Sequence, residues 1–289
     1  MDSDPTHLFR SKIRISRSAR SDPTPIVKNV PTILPPVVIN GSYNGNSITV
    51  YGEIHNDIEN SFYESLKLEN KIVIVEHATV LCEIDPIYLK KALNNLDGSE
   101  YIWYKLKSRK KPVICIDNRI EMGLFSAIDE NYISSFKSRN FKDINEIMLP
   151  IIKVIKNLES EIIKKKFNIT REVYSDYTLS IKTIRKQLKI IYELLKNPAS
   201  LDFNELFRIK NMLIQNITKI ASLMVDINIV NTIKANKETK DILIFVGAAH
   251  AYRLNKYFPD IFSKIVYNGF DVESIEDFKL FLDRMIYDD

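Results

Sequence analysis

A chain of 289 residues, 45% hydrophobic and 27% charged, has the composition of an ordinary globular protein and can bury a sizeable core. Its net charge of +4 and pI near 8.8 are too mild to predict nucleic-acid binding, because dedicated binders concentrate basic charge on one face. We see no apolar run near the roughly 20 residues of a membrane helix and no secretory signal, so we expect a soluble, cytoplasmic protein.

The N-terminal segment differs from the rest of the chain. Residues 1–36 mix Ser, Pro, Arg and Asp without apolar periodicity. Such a segment cannot bury enough apolar surface to offset the entropy lost on ordering, so we expect a disordered tail. Its arginines are compatible with binding to an acidic partner, but segments of this composition are more often solvent-exposed tails without a partner. The folded domain is expected to span 37–289.

Strand and helix patterns alternate after the tail. A turn-rich segment, 40–46, predicts a hairpin between the first two strands. The next two strands are apolar throughout until an acidic end, which is typical of parallel strands covered by helices on both faces. The alternation predicts an α/β fold with a mostly parallel sheet flanked by helices. Strands are expected over 37–39, 47–51, 71–76 and 112–117, and helices over 58–68 and 86–108.

The alternation of strand and helix patterns stops after the third core strand, where 47–51 is counted as the first. No strand pattern occurs from about 121 to 236, where apolar residues recur at helical three-and-four spacing. We interpret this block as a large all-helical insertion between the third and fourth core strands. Its helices are expected over 142–166, 181–197 and 203–235. The fourth core strand is expected over 241–246, followed by a helix after His250 and a last strand over 265–267.

Polar residues end each of the four core strands. The first leads through Gly52 and Glu53 to His55, and the fourth leads through Gly247 to His250. The second ends at Glu76, and the third ends at Asp117 and Arg119. Because parallel strands end at one edge of a sheet, where open α/β folds bind ligands, we expect these side chains to meet there.

Imidazole and carboxylate groups together suit divalent transition metals such as zinc, manganese or cobalt. We predict that His55, His250 and Glu76 bind such an ion. Glu76 is either a third ligand or the base that accepts a proton from water, and Glu53 could exchange roles with it. Arg119 would orient substrate or stabilise negative charge, and its pairing with Asp117 is either part of this role or a structural ion pair. His77 should face away from Glu76 on an extended strand.

Taken together, these motifs resemble the TraB/TIKI superfamily, which includes the TraB/PrgY, TIKI metalloprotease, ChaN-like and erythromycin-esterase-like proteins. The resemblance implies metal-dependent hydrolysis, often of peptides in the TIKI branch, and haem binding in the ChaN-like branch. It also implies an acidic or polar residue on the helix before the last motif, a place that Asp226 could fill. The positions that carry the resemblance are Gly52, His55, Glu76, Asp117, Arg119, Gly247 and His250.

We therefore predict a metal-dependent hydrolase that acts on a peptide or small-molecule substrate. The alternatives are a haem- or small-ligand-binding protein on the same scaffold and a non-catalytic interaction protein. The chain has two cysteines, Cys82 and Cys115, in or near predicted core segments. This usage favours reduced thiols and an intracellular setting over a disulfide framework.

Overall fold

The computed structural model describes residues 35–54, 60–78, 98–119, 144–165, 170–196, 203–236, 238, 240–268, 275–280 and 282. His55, Cys82 and residues 1–34 of the predicted tail lie outside these ranges. Pro35 and Pro36 are buried, and their carbonyl oxygens accept hydrogen bonds from the side chain and backbone of Asn268. The folded body thus includes the last two residues of the predicted tail.

The first two strands form the predicted antiparallel hairpin. β1 (Val37–Tyr43) pairs with β2 (Asn46–Glu53) through a two-residue turn. Asn44 and Gly45 have φ angles of 50° and 80°, and positive φ at both positions is what a tight hairpin turn of this kind requires. The turn is shorter than predicted because residues 40–43, which look turn-like in sequence, pair with β2.

The strands form one six-stranded mixed sheet in the order β4-β3-β5-β2-β1-β6. The four strands from β4 to β2 are parallel to their neighbours, whereas β1 and β6 add antiparallel pairs at one side. The sheet is therefore mostly parallel and the fold is α/β. The remaining strands are β3 (Ile72–Ala78), β4 (Ile114–Asp117), β5 (Ile242–Gly247) and β6 (Lys264–Tyr267).

Helices flank this sheet on both faces. Two of them pack on one face, where Tyr63, Trp103 and Phe245 share an apolar cluster, and the others contribute to the larger core. The described residues between β4 and β5 form three of these helices. The helices are α1 (Asn60–Ser65), α2 (Gly98–Lys107), α3 (Ile144–Lys165), α4 (Arg171–Lys196), α5 (Phe203–Ala235) and α6 (Ala248–Tyr257).

Two helix starts differ from the prediction. α4 begins at Arg171 instead of 181, because Thr170 Oγ1 accepts a hydrogen bond from Val173 N as an N-terminal cap and Val173 and Tyr177 extend the buried stripe. α6 begins at Ala248, so His250 lies inside the first turn of the helix and not before it.

The described residues contain one helix segment with the length and composition of a membrane span, although none was expected from the sequence. Asn211–Ala235 is long and apolar enough to cross a membrane, but 61% of its apolar window is buried inside the protein. Met224 and Val225, for example, are fully buried. A core helix of a soluble protein passes the same test, so the segment is weak evidence for a membrane.

The expectation of reduced thiols is wrong for Cys115, which is disulfide-bonded. The position of Cys115 near the predicted core suggested a buried free thiol, but a cysteine in such a position can equally form a disulfide. The chain's other cysteine, Cys82, lies outside the described residues. The cytoplasmic setting, which partly depended on free thiols, stays a prediction.

Candidate functional site

β3 carries one extra residue near its carboxyl end. Val75 pairs with Cys115 and Ala78 pairs with Asp117, so Glu76 and His77 together face a single residue of β4. This two-against-one pairing is a β-bulge, which changes the direction in which side chains point near the end of a strand. Glu76 lines a cavity at the edge of the sheet, whereas His77 packs against Trp103 of α2 with ring centroids 4.6 Å apart. The prediction that these neighbours face different ways is confirmed.

Glu76 joins three parts of the site. Its Oε2 accepts a hydrogen bond from the backbone N–H of Gly247 at 2.8 Å. Its Oε1 lies 3.0 Å from Arg119 Nη2 and 3.1 Å from His250 Nε2. Arg119 also binds Asp117 through two parallel contacts of 2.8 and 2.7 Å. The ends of β3, β4 and β5 are thus connected through charged side chains, as the sequence predicted for these positions.

His250 is held on its other ring nitrogen by a fully buried carboxylate. Its Nδ1 lies 2.5 Å from Oδ1 of Asp226, a residue of α5 with no exposed surface. Arg253 Nε donates to Asp226 Oδ2 at 2.5 Å. His250 and Arg253 are three residues apart in α6 and therefore lie on the same face of the helix. The sequence predicted a role for Asp226 but not for Arg253. The contact of Arg253 with Asp226 becomes predictable only if His250 and Arg253 lie in the same helix.

The buried charges shift each other's pKa values. Burial opposes ionisation of Glu76, but the charges of His250 and Arg119 and the Gly247 N–H outweigh it and hold its pKa well below the usual range. Burial alone would lower the pKa of His250, but the carboxylates of Glu76 and Asp226 overcome this and raise it. The geometry therefore favours an ionised carboxylate in contact with a charged imidazole.

A cavity of about 700 Å³ opens beside this cluster. Glu76, Arg119, His250 and Arg253 line it from the sheet and α6, and side chains of α4 and α5 line it from the other side. The carboxyl edge of the sheet therefore faces a partly open cavity large enough for a small ligand. Asp117 is held behind Arg119 and is not part of the lining.

Glu53 also lines the cavity, but its carboxylate is engaged elsewhere. Tyr63 OH donates to Oε2, and the backbone N–H of Ser99 donates to Oε1 at 2.7 Å. Ser99 is in the first turn of α2, where an acidic group satisfies open N–H groups and complements the helix dipole. These contacts support a structural role for Glu53, and its exchange of roles with Glu76 stays a prediction.

Two of the three predicted metal ligands, His250 and Glu76, are in contact. The third, His55, lies outside the described residues. Within the parts of the chain that the structure describes, no group of three or more His, Cys, Asp or Glu side chains is placed to hold a metal ion. The metal site remains a prediction.

The two motif glycines have different reasons to be glycine. A Cβ on Gly52 would lie 2.6 Å from the Cβ of Ala251, because α6 packs directly on β2. Gly247 has φ −62° and ψ 151°, a backbone conformation that any residue can adopt. A Cβ there would meet no atom closer than 3.6 Å. Only Gly52 is required by close packing.

We predict that Gly52→Ala lowers the free energy of unfolding by about 1–3 kcal/mol, because overpacking displaces α6. The matched substitution Gly247→Ala should change it by less than about 1 kcal/mol. Urea denaturation of both variants measures the difference. Equal losses would contradict the close contact between α6 and β2.

His77 predicts a pH dependence of stability. It is 3% exposed, and its Nε2 has no hydrogen-bond partner within the described structure. Desolvation, partly opposed by Asp117, lowers its pKa from 6.5 to about 4. Between these pH values the unfolded chain binds the proton and the folded chain does not, so stability falls as the pH decreases through this window.

At about 1.36 kcal/mol per pKa unit, the loss due to His77 is about 3 kcal/mol between pH 7 and pH 4. His77→Phe keeps a ring against Trp103 and removes the titration, so the variant should lose that much less stability over the same range. Urea denaturation at pH 7, 5.5 and 4 tests this. Parallel pH profiles for the two proteins would refute it.

Comparisons with protein-family models, curated proteins and solved structures gave no match.

Proposed function

We propose that this chain is a metal-dependent hydrolase of the type that the TraB/TIKI resemblance implies. The observation that carries the proposal is the contact between His250 Nε2 and Glu76 Oε1, 3.1 Å apart at the edge of the cavity, with His250 Nδ1 held by Asp226. His250, Glu76 and His55 would hold a divalent zinc, manganese or cobalt ion.

The donor atoms suit this role. Ligand atoms bound at 2.0–2.2 Å to a common ion lie roughly 3 Å apart, which is close to the separation of His250 Nε2 and Glu76 Oε1. Metal-binding histidines typically donate their other ring N–H to a carboxylate, and His250 Nδ1 lies 2.5 Å from Asp226 Oδ1 and 2.7 Å from Arg253 Nη2. The arrangement supports ligand roles for His250 and Glu76.

The charges of the cluster allow a cation to replace a proton. The cluster combines three carboxylates, on Glu76, Asp117 and Asp226, with two guanidinium groups, on Arg119 and Arg253. With the charged His250 described above these side chains are neutral overall, and loss of the His250 proton leaves a net charge of −1. Since metal binding requires a neutral imidazole, the ion would take the place of the His250 proton.

The chain's own residues supply the remaining functions of a hydrolytic site. When bound, the cation would lower the pKa of a water molecule and provide a nucleophile near neutral pH. Arg119, held in place by Asp117, faces the cavity and would donate hydrogen bonds to negative charge that develops on a substrate oxygen. Asp226 and Arg253 would keep the His250 ring in position.

The helices between β4 and β5 belong to the same proposal. We infer that α3, α4 and α5 form one insertion between the third and fourth core strands, within a domain spanning 37–289. Residues of α4 and α5 line the cavity opposite the charged cluster. Such an insertion would shape the substrate pocket and limit the access of water to the reacting groups.

The haem-binding alternative fits the same residues less well. A haem axial ligand directs one ring nitrogen at the iron. His250 directs Nε2 at the Glu76 carboxylate and Nδ1 at the Asp226 carboxylate. A divalent cation would be shared by Nε2 and Glu76, whereas a haem iron would have to displace Glu76 from Nε2. This difference favours hydrolysis over haem binding.

Metal binding by the purified protein tests the proposal. We expect zinc, manganese or cobalt to raise the melting temperature of the wild type, since a ligand of the native state stabilises it. His250→Ala should lose this effect and retain less metal by elemental analysis. A wild type that no metal stabilises, or an equal response from the variant, would refute the proposed site.

A further inference from the structure

The two sides of the cavity differ in character. On the side of the sheet and α6, the lining is charged, with Glu76, Arg119, His250 and Arg253. The other side has a substantial apolar component from the helical block and the C-terminal region, and Asp176 and Lys219 also line it. The apolar residues are Leu179, Ile214, Leu223 and Leu282. A ligand that fills the cavity therefore meets both charges and hydrocarbon.

Leu179 is the most exposed of these apolar residues. It is 64% exposed, whereas Leu223 and Leu282 are 8% and 1% exposed. A single exposed leucine is ordinary on a protein surface. Leu179, however, lies in the lining of a cavity that the buried side chains of Leu223 and Leu282 also line. The apolar part of a bound ligand would remove its surface from water and contribute to affinity.

Polar side chains of α5 lie along the same cavity. Gln215, Lys219 and Ser222 line it at spacings of four and three residues, which place them on one face of the helix. Asp226, four residues further on, contacts His250. Hydrogen-bonding groups thus run along α5 toward the charged cluster, so the cavity suits an amphipathic ligand better than a pure hydrocarbon. A volume of about 700 Å³ is within the range of small-molecule sites.

We propose that the cavity binds a small amphipathic ester or amide whose apolar acyl group lies against Leu179 and whose carbonyl group lies at His250. The ester or amide linkage rests on the proposed hydrolase function, whereas the apolar recognition rests on the cavity alone. Hydrolysis breaks the acyl–oxygen or acyl–nitrogen bond, adds water across it, and yields a carboxylic acid and an alcohol or amine. Water is the only co-reactant.

Leu149 provides a matched control for Leu179. It is 61% exposed on α3, but it is not part of the cavity lining. Because both leucines are exposed on helices, Leu179→Asp and Leu149→Asp should both fold. In a fluorescence titration with dansylundecanoic acid, we expect Leu179→Asp to bind about tenfold more weakly than the wild type. Leu149→Asp should bind within about twofold of the wild type.

The acyl-chain preference is tested with p-nitrophenyl acetate, butyrate and octanoate and the metal-loaded enzyme. We expect kcat/KM to rise about threefold for each added methylene in the wild type and to be nearly flat in Leu179→Asp. His250→Ala should abolish hydrolysis, because it removes a proposed metal ligand. Leu179→Asp and Leu149→Asp, which leave the proposed metal ligands in place, report on apolar recognition alone.

The outcomes distinguish the two proposals. Equal probe binding by the wild type and Leu179→Asp, or an equal loss in Leu149→Asp, would overturn the apolar site. Probe binding that depends on Leu179, without hydrolysis of any ester or amide, would support the site and count against the hydrolase. Hydrolysis without any dependence on acyl length would overturn the substrate class while leaving the hydrolase intact.

Discussion

Replacing Asp226 with Ala should lower the free energy of unfolding by about 3–5 kcal/mol, the typical cost of breaking a buried ion pair. Asp226 is fully buried and contacts both His250 and the 8%-exposed side chain of Arg253. Its removal leaves a guanidinium group in the interior without this partner. Urea denaturation measures the loss, and a loss below about 1 kcal/mol would show that the pair is not the buried anchor described above.

A double variant separates this stability effect from the effect on the site. Asp226→Leu combined with Arg253→Met removes both charges, and apolar replacements of a buried ion pair are often neutral or stabilising. We expect it to recover most of the stability lost in Asp226→Ala. It should still bind zinc or manganese about 10–100-fold more weakly than the wild type, because His250 loses the carboxylate that orients it. Wild-type metal affinity in the double variant would rule out an orienting role for Asp226.

The second large effect is expected for Glu76→Gln. Glutamine keeps the shape and can still accept a hydrogen bond from Gly247 N, but it removes the negative charge next to Arg119 and His250. Loss of a ligand should exceed the 10–100-fold effect typical of outer-shell substitutions, so we expect more than a 100-fold loss of metal affinity. Isothermal titration calorimetry with zinc or manganese measures it.

Glu53→Gln is the matched control, since both glutamates line the same cavity. Because the Glu53 carboxylate binds Tyr63 and the first turn of α2, its neutralisation should cost about 1 kcal/mol of stability and leave metal affinity within a few-fold of wild type. Equal losses of affinity in the two variants would contradict the assignment of Glu76 as ligand and Glu53 as structural residue.

The sequence was sufficient to place the sheet and most of its polar edge. Continuous apolar strands ending in Glu76 and Asp117 indicate parallel pairing, because only a strand covered on both faces carries such a run. Parallel pairing in turn places those ends on one edge, where Glu76, Arg119 and His250 are in contact. Local pattern and strand direction together predicted this part of the site.

Tertiary contacts account for what the sequence did not provide. Whether Glu53 faces a substrate or caps α2 depends on where Ser99 lies, 46 residues away. Arg253 becomes visible as a partner of Asp226 only when α6 begins before His250. The β-bulge at Glu76 and His77 is likewise absent from any local pattern, since it is defined by the register with β4. Such features depend on which elements become neighbours.

The position of β5 has a consequence for how the chain is made. β5 pairs with both β2 and β3 at the centre of the sheet, although it is the fifth of the six strands in chain order. A nascent chain that ends before residue 242 lacks both β5 and β6, so β2, β3 and β1 would each have an unpaired edge, a state prone to association with other chains. His250 lies just beyond β5. The central strand of the sheet must therefore be synthesised before the charged cluster can form.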